Sequence, residues 1–172
     1  TRTMAGDVRD INTEERTVRM VVSSERVDSY GTMIMQDGID WDTRYRSNPV
    51  FMWAHPVKPQ AIDPGPERLL GKCVKIEREE DKTIMTFKFL PAEVNPMAEM
   101  VFQMYCHGAM NACSVGLIEA RHVWAGASKE DIQALKPKAK KALLEGDARA
   151  IIPTSIGFEV SACLVGANLD AL

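Results

Sequence analysis

The sequence predicts an α+β chain that is mainly β, a mixed sheet or small barrel with helices at its periphery. Six or seven stretches alternate polar with apolar residues or run apolar at strand length, while only two or three carry a helical period. No strand–helix–strand alternation links them, as a parallel α/β sheet would require. At 172 residues, with a hydrophobic fraction of 45%, the chain is long enough to be one domain over 1–172 with a core that needs no staple.

Taken in order, residues 1–15 are polar and aperiodic and are expected to form a mobile N-terminal arm. From Thr17 to Ser24, Val18, Met20 and Val22 fall on one face of a half-buried strand. Asp28-Ser29-Tyr30-Gly31 is a turn signal, and Thr32–Gln36 a second short strand that Asp37-Gly38 ends. Ile39–Ser47 mixes aromatic and charged residues at helical spacing, so a helical turn is expected there. Asn48-Pro49 restarts extended backbone, because the residue before proline is pushed toward β geometry, and Val50–His55 follows as a buried strand. Pro56, Pro59, Pro64 and Pro66 then impose a loop. Arg68–Arg78 and Lys82–Leu90 form a hairpin around Glu79-Glu80-Asp81.

Asn95 as cap and Pro96 at the first helical position open a helix over Pro96–His107, which Gly108 stops. Its apolar stripe is Met97, Met100, Val101, Met104 and Tyr105. Ala109–Trp124 is extended. Ser128–Glu145 reads as helix broken at Pro137, within a helical insertion over 126–148, and Ile151–Val165 is the last strand.

Several function classes are disfavoured. A net charge of -3 gives no field that draws the chain to nucleic acid or anionic lipid, and Lys136, Lys138, Lys140 and Lys141 read as a solvated helix face. No apolar run approaches bilayer-spanning length and no signal-peptide pattern opens the chain. Cys73, Cys106, Cys113 and Cys163 lie far apart, and with His55, His107 and His122 they show no zinc-ligand spacing. Reduced thiols, no metal and no cofactor are expected.

The chemistry-bearing stretch is Asn111–Leu117, where small neighbours leave the Ser114 hydroxyl unobstructed. Serine attacks near neutral pH only if a base takes its proton, usually a histidine held in one tautomer by a further group. His55 ends a buried strand where a loop begins, a common seat for a catalytic group. His107 lies in a last helical turn, where the dipole suffices to explain it. His122 sits eight residues from Ser114, about 26 Å along a straight strand.

Four blocks resemble the caudovirus prohead protease family, the serine proteases that mature tailed-phage capsids. Val27-Asp28-Ser29-Tyr30-Gly31 with Asn48-Pro49-Val50-Phe51-Met52-Trp53-Ala54-His55 is similar to the family's "D..G … NPV..W.H" stretch, and Leu70-Gly71-Lys72-Cys73-Val74 to its "iGkv" strand. Cys113-Ser114-Val115-Gly116-Leu117 resembles the "SiGF" nucleophile motif, and the segment from Phe158 to Asn168 the closing "E-V-S-L-V…PAN". The resemblance spans residues 20–170 and implies Ser114 as nucleophile, His55 as general base and Glu159 as the group that orients His55. Related herpesvirus assemblins use a second histidine there, which keeps His122 and His107 as alternatives. Gly166 stands where the family has proline and Leu117 where it has phenylalanine. Ser155-Ile156-Gly157-Phe158 matches the nucleophile motif more literally, but it runs directly into Glu159 and lacks a preceding helix.

The implied fold is an assemblin-like closed β-barrel with peripheral helices. The implied function is maturation of the prohead inside the host cytoplasm, by cleavage of scaffold or capsid-protein extensions and of the protease itself, with a homodimer suggested by the assemblin analogy. The alternative from another class is a non-catalytic assembly or scaffold module with the same barrel.

Overall fold

The structure, a computed structural model, describes residues 8–55, 65–168 and 170–171. The first part of the expected arm, residues 1–7, and the proline-rich loop over 56–64 lie outside the described residues.

Strands take 42% of the residues and helices 22%, so the fold is mainly β. Nine strands make one mixed sheet: β1 (Val8–Asn12), β2 (Thr17–Ser24), β3 (Thr32–Ile34), β4 (Ile39–Asp40), β5 (Val50–Trp53), β6 (Leu69–Glu79), β7 (Lys82–Phe89), β8 (Cys113–Trp124) and β9 (Ala150–Ala162). The path β1-β2-β7-β6-β5-β9-β3 curls into an open half-barrel, where the sequence had suggested a closed one. β9 is its hub. It runs parallel to β3, β4 and β5 and antiparallel to β8.

β1 corrects the expectation of a mobile arm through residue 15. Residues 8–12 are too polar to show a period, yet they pair antiparallel with β2, and Val8 and Ile11 pack on the core. The helical turn expected over 39–47 is confined to a 3-10 turn at Tyr45–Ser47, and the range opens with the two-residue β4. The β6–β7 hairpin follows the expected bounds closely, with Glu79 opposite Lys82 across the turn.

Helix α1 (Pro96–Cys106) begins where Asn95 Oδ1 accepts the Met97 N–H at 2.9 Å, and it stops at Gly108, whose φ is 67°. Its buried face overlaps the expected stripe and is wider. Val101 and Tyr105 are buried, and Met97 and Met104 pack half-buried against the core. Ala98 and Phe102 join them toward Phe89, and of the stripe only Met100 is exposed, at 51%. The Ser128–Glu145 segment is two helices, α2 (Lys129–Gln133) and α3 (Pro137–Leu144), separated at the proline. The four lysines over 136–141 are occupied: Lys136 by Asp37, Lys138 by Glu25 and Asp81, Lys140 by Gln133 and Lys141 by Glu145.

The main core lies inside the curl, around stacked Phe51 and Phe87 (centroids 4.0 Å apart), Phe89 and α1. A second cluster around Met33, Val123, Leu143 and Ile151 seats α3 on the far end of β9.

Candidate active site

In the sheet order β5-β9-β8, the central strand runs parallel to one neighbour and antiparallel to the other. The C-terminal ends of β5 and β9 therefore lie beside the N-terminal end of β8. His55 follows β5, Glu159 and Ser161 sit near the end of β9, and Ser114 is the second residue of β8. Three segments distant in sequence deliver their polar residues to one corner of the sheet.

The register defines which side chains share a face. Ser114 lies opposite Ser161 and Gly116 opposite Glu159. Directly opposed residues of an antiparallel pair project to the same side, and residues two apart on a strand do likewise. Ser114, Gly116, Glu159 and Ser161 thus share a face, and Val160 points the other way into the core, fully buried beside Phe51.

On β5, Phe51 and Trp53 pack against the core, so strict alternation would send residue 55 the same way. Ala54 interrupts the alternation. Its φ of 55° is left-handed, a conformation costing an L-residue about 1–2 kcal/mol, and its N–H is held by Ala162 O at 2.9 Å. The turn of backbone brings His55 to the Glu159 face. Strained backbone beside a reactive group is a recurrent feature of functional sites.

His55 Nδ1 contacts Glu159 Oε1, and the Ser161 hydroxyl donates to Glu159 Oε2. Ser161 Oγ also lies 3.4 Å from His55 Nδ1. The Glu159 side chain is 3% exposed and that of His55 is 43% exposed, so the carboxylate is shielded while the far side of the imidazole reaches solvent. The hydrogen bond to Glu159 raises the His55 pKa above its ordinary 6.5, with partial burial opposing it. With Nδ1 carrying the proton toward Glu159, the Nε2 lone pair is the basic site.

Ser114 and His55 both line a cavity of about 350 Å³, together with apolar Val22, Ile34, Leu117 and Ile152. Ser114 Oγ makes no hydrogen bond to His55 or to any other described residue. Gly116 is required by the packing: a Cβ there would stand 2.5 Å from Glu159 Oε1 and 2.7 Å from the Phe158 ring. Cys113, the neighbour of Ser114, faces the opposite side. It is 1% exposed, burial pushes its thiol pKa up, and Sγ donates to Val21 O at 3.3 Å.

The remaining residues singled out in the sequence lie elsewhere. His122 pairs with Glu119 at 2.9 Å and stands edge-on to Trp124. His107 is an exposed cap of α1. Neither histidine lines the cavity, and neither meets His55. Ser155 is 3% exposed, its Oγ has no partner, and it pairs with Glu119 and Ile39 farther along β9. Among the described residues no group of three or more His, Cys, Asp or Glu side chains could hold a metal ion. Among the described residues no helix is long and apolar enough to cross a membrane.

Two participants escape sequence reasoning. Ser161 was available from strand period alone, being two residues from Glu159 and so on its face. The need for a glycine at 116 was not, because it depends on the cross-strand register.

No protein-family model matches this chain, and no curated protein or solved structure matches it either.

Proposed function

We propose that the chain is a serine endopeptidase of the prohead-protease type, built on an assemblin-like variant of the half-barrel. The observation that carries this reading is the Glu159–His55 contact behind a cavity that Ser114 also lines. The four sequence blocks that resemble the family include all three residues.

The chemistry follows from the geometry. Glu159 holds the Nδ1–H tautomer, leaving Nε2 to take the Ser114 proton as Oγ attacks the scissile carbonyl carbon. The tetrahedral adduct collapses to an acyl-enzyme as the C–N bond breaks, and the amine leaves with the proton that His55 held. Water then attacks the ester with His55 again as base, releasing the acid and restoring Ser114. A nucleophile–base hydrogen bond is often loose in a free enzyme and tightens around substrate, which fits the unpaired Ser114 hydroxyl.

The substrates in this proposal are scaffold or capsid-protein extensions and the chain's own termini, processed within the prohead in the host cytoplasm by a homodimer. The test is co-expression with the capsid protein. Ser114→Ala should abolish processing while the variant remains folded; persistent processing rules out Ser114 as the nucleophile. The competing reading, a non-catalytic assembly module on the same scaffold, draws on the absence of a Ser114–His55 hydrogen bond. It predicts that wild-type and Ser114→Ala chains support head assembly equally, without cleavage.

A further inference from the structure

We propose that Ser161 is a positioning residue for the His55–Glu159 pair, a role that rests on the protease reading given above.

Four observations carry it. First, Ser161 is fully buried, and a buried hydroxyl is costly unless it is hydrogen-bonded. Second, its bond is directed at Glu159 Oε2, the carboxylate oxygen that does not meet the imidazole. A glutamate has three side-chain torsions, and a hydrogen bond to His55 alone leaves the carboxylate free to pivot about that contact. Holding Oε2 by a hydroxyl two residues along the same strand removes that freedom. Third, Ser161 Oγ stands 3.4 Å from His55 Nδ1, so the imidazole N–H is flanked by two oxygens of β9 and by no other described side chain. Fourth, Ser161 is the cross-strand partner of Ser114. The residue that holds the carboxylate therefore sits directly across from the nucleophile in the strand register. Its hydroxyl cannot itself be the nucleophile, because it lies against Nδ1 and Glu159 with no exposure.

The role is one of alignment. Ser161 touches no substrate; it acts through Glu159 on the tautomer and aim of His55. Without the hydroxyl, Glu159 Oε2 is left without its donor in a buried setting, the carboxylate adopts other rotamers, and the Nδ1 contact weakens.

The test combines Ser161→Ala, Glu159→Gln and the double variant in the full chain, with two readouts. Turnover of a processing substrate should fall about 10- to 100-fold in Ser161→Ala through kcat with KM unchanged, the scale of a small misalignment at a reacting centre. In the Glu159→Gln background, Ser161→Ala should cost nothing further, because a residue that acts through another loses its effect once that other is removed. The second readout is NMR titration of the His55 ring: its midpoint should move down in Ser161→Ala, toward the ordinary histidine value. An unmoved or raised midpoint, or fully additive losses in the double variant, overturns the positioning role. The titration decides the matter even if processing proves independent of Ser114, so this role and the protease reading fail separately.

Discussion

His55 carries two constraints that pull apart under mutation, its tautomer and its aim. Glu159 raises the pKa of the imidazole, and a general base works only when neutral. The kcat/KM of the chain should therefore rise with pH through a midpoint above 6.5, the ordinary histidine value. Glu159→Gln should move that midpoint down and lower the plateau on the order of 10³-fold or more, since an amide no longer enforces the Nδ1–H tautomer. A pH–rate profile measures both; an unshifted midpoint with a near-normal plateau removes Glu159 from the mechanism. The same pair has a stability signature. Because the folded pKa is raised, its contribution is fully present below the unfolded value near 6.5 and is lost as pH rises through the folded one. Denaturation midpoints across that window should track the loss, and Glu159→Gln should flatten it.

Gly116 is the other residue on which the site depends. An added methyl group would meet Glu159 Oε1 and Phe158 at sub-contact distance, and the Glu159 carboxylate is already held by His55 and Ser161. Gly116→Ala should cost about 1–3 kcal/mol in urea unfolding, the range for overpacking. It should also reduce turnover by displacing the carboxylate. A variant with wild-type stability and rate would mean that this corner of the sheet is looser than its packing implies.

Among the elements, the legible ones declared themselves by local chemistry. The β6–β7 hairpin has strand-length apolar patterning, with Ile84–Phe89 divided onto two faces in the sequence, and a charged turn, and α1 has Asn95-Pro96 before it and Gly108 after it. Asn95 does more than cap. Its Oδ1 accepts from Met97 N, while Nδ2 donates to Glu67 O at 2.9 Å and Leu69 O at 2.8 Å, tying α1 to the start of β6. Asn95→Ala should therefore destabilise by about 2–3 kcal/mol, more than the ~1 kcal/mol of an ordinary cap, read from the denaturation midpoint. A loss no larger than a simple cap would show that the two β6 bonds contribute nothing net. The elements that escaped are those whose partner is remote. β1 is polar and exists because β2 offers it an edge, and β4 exists because β9 offers Ser155 and Ile156 as parallel partners. On α1, the expected stripe is packed except at Met100, and Ala98 and Phe102 widen it toward Phe89, a partner that no local pattern reveals.

At the scale of the whole molecule, the site is a product of strand order. Ser114, His55 and Glu159 could each be singled out from sequence motifs, but their convergence depends on β9 lying between β5 and β8, which no local pattern encodes. The same order disposes of the more literal motif around Ser155, which the register leaves buried farther along β9. It also sets Lys136, the cap of α3, against Asp37 and Lys138 against Glu25 and Asp81, acids of the sheet's connections, as a fastening for the helix. In the proposed mechanism Ser114 is the nucleophile and His55 activates it. Mass-spectrometric mapping of the adduct formed by a serine-directed phosphonate on the intact chain tests this. A single adduct is expected on Ser114, disappearing in His55→Ala; an adduct on Ser155, or on Ser114 at an undiminished rate without His55, contradicts the mechanism.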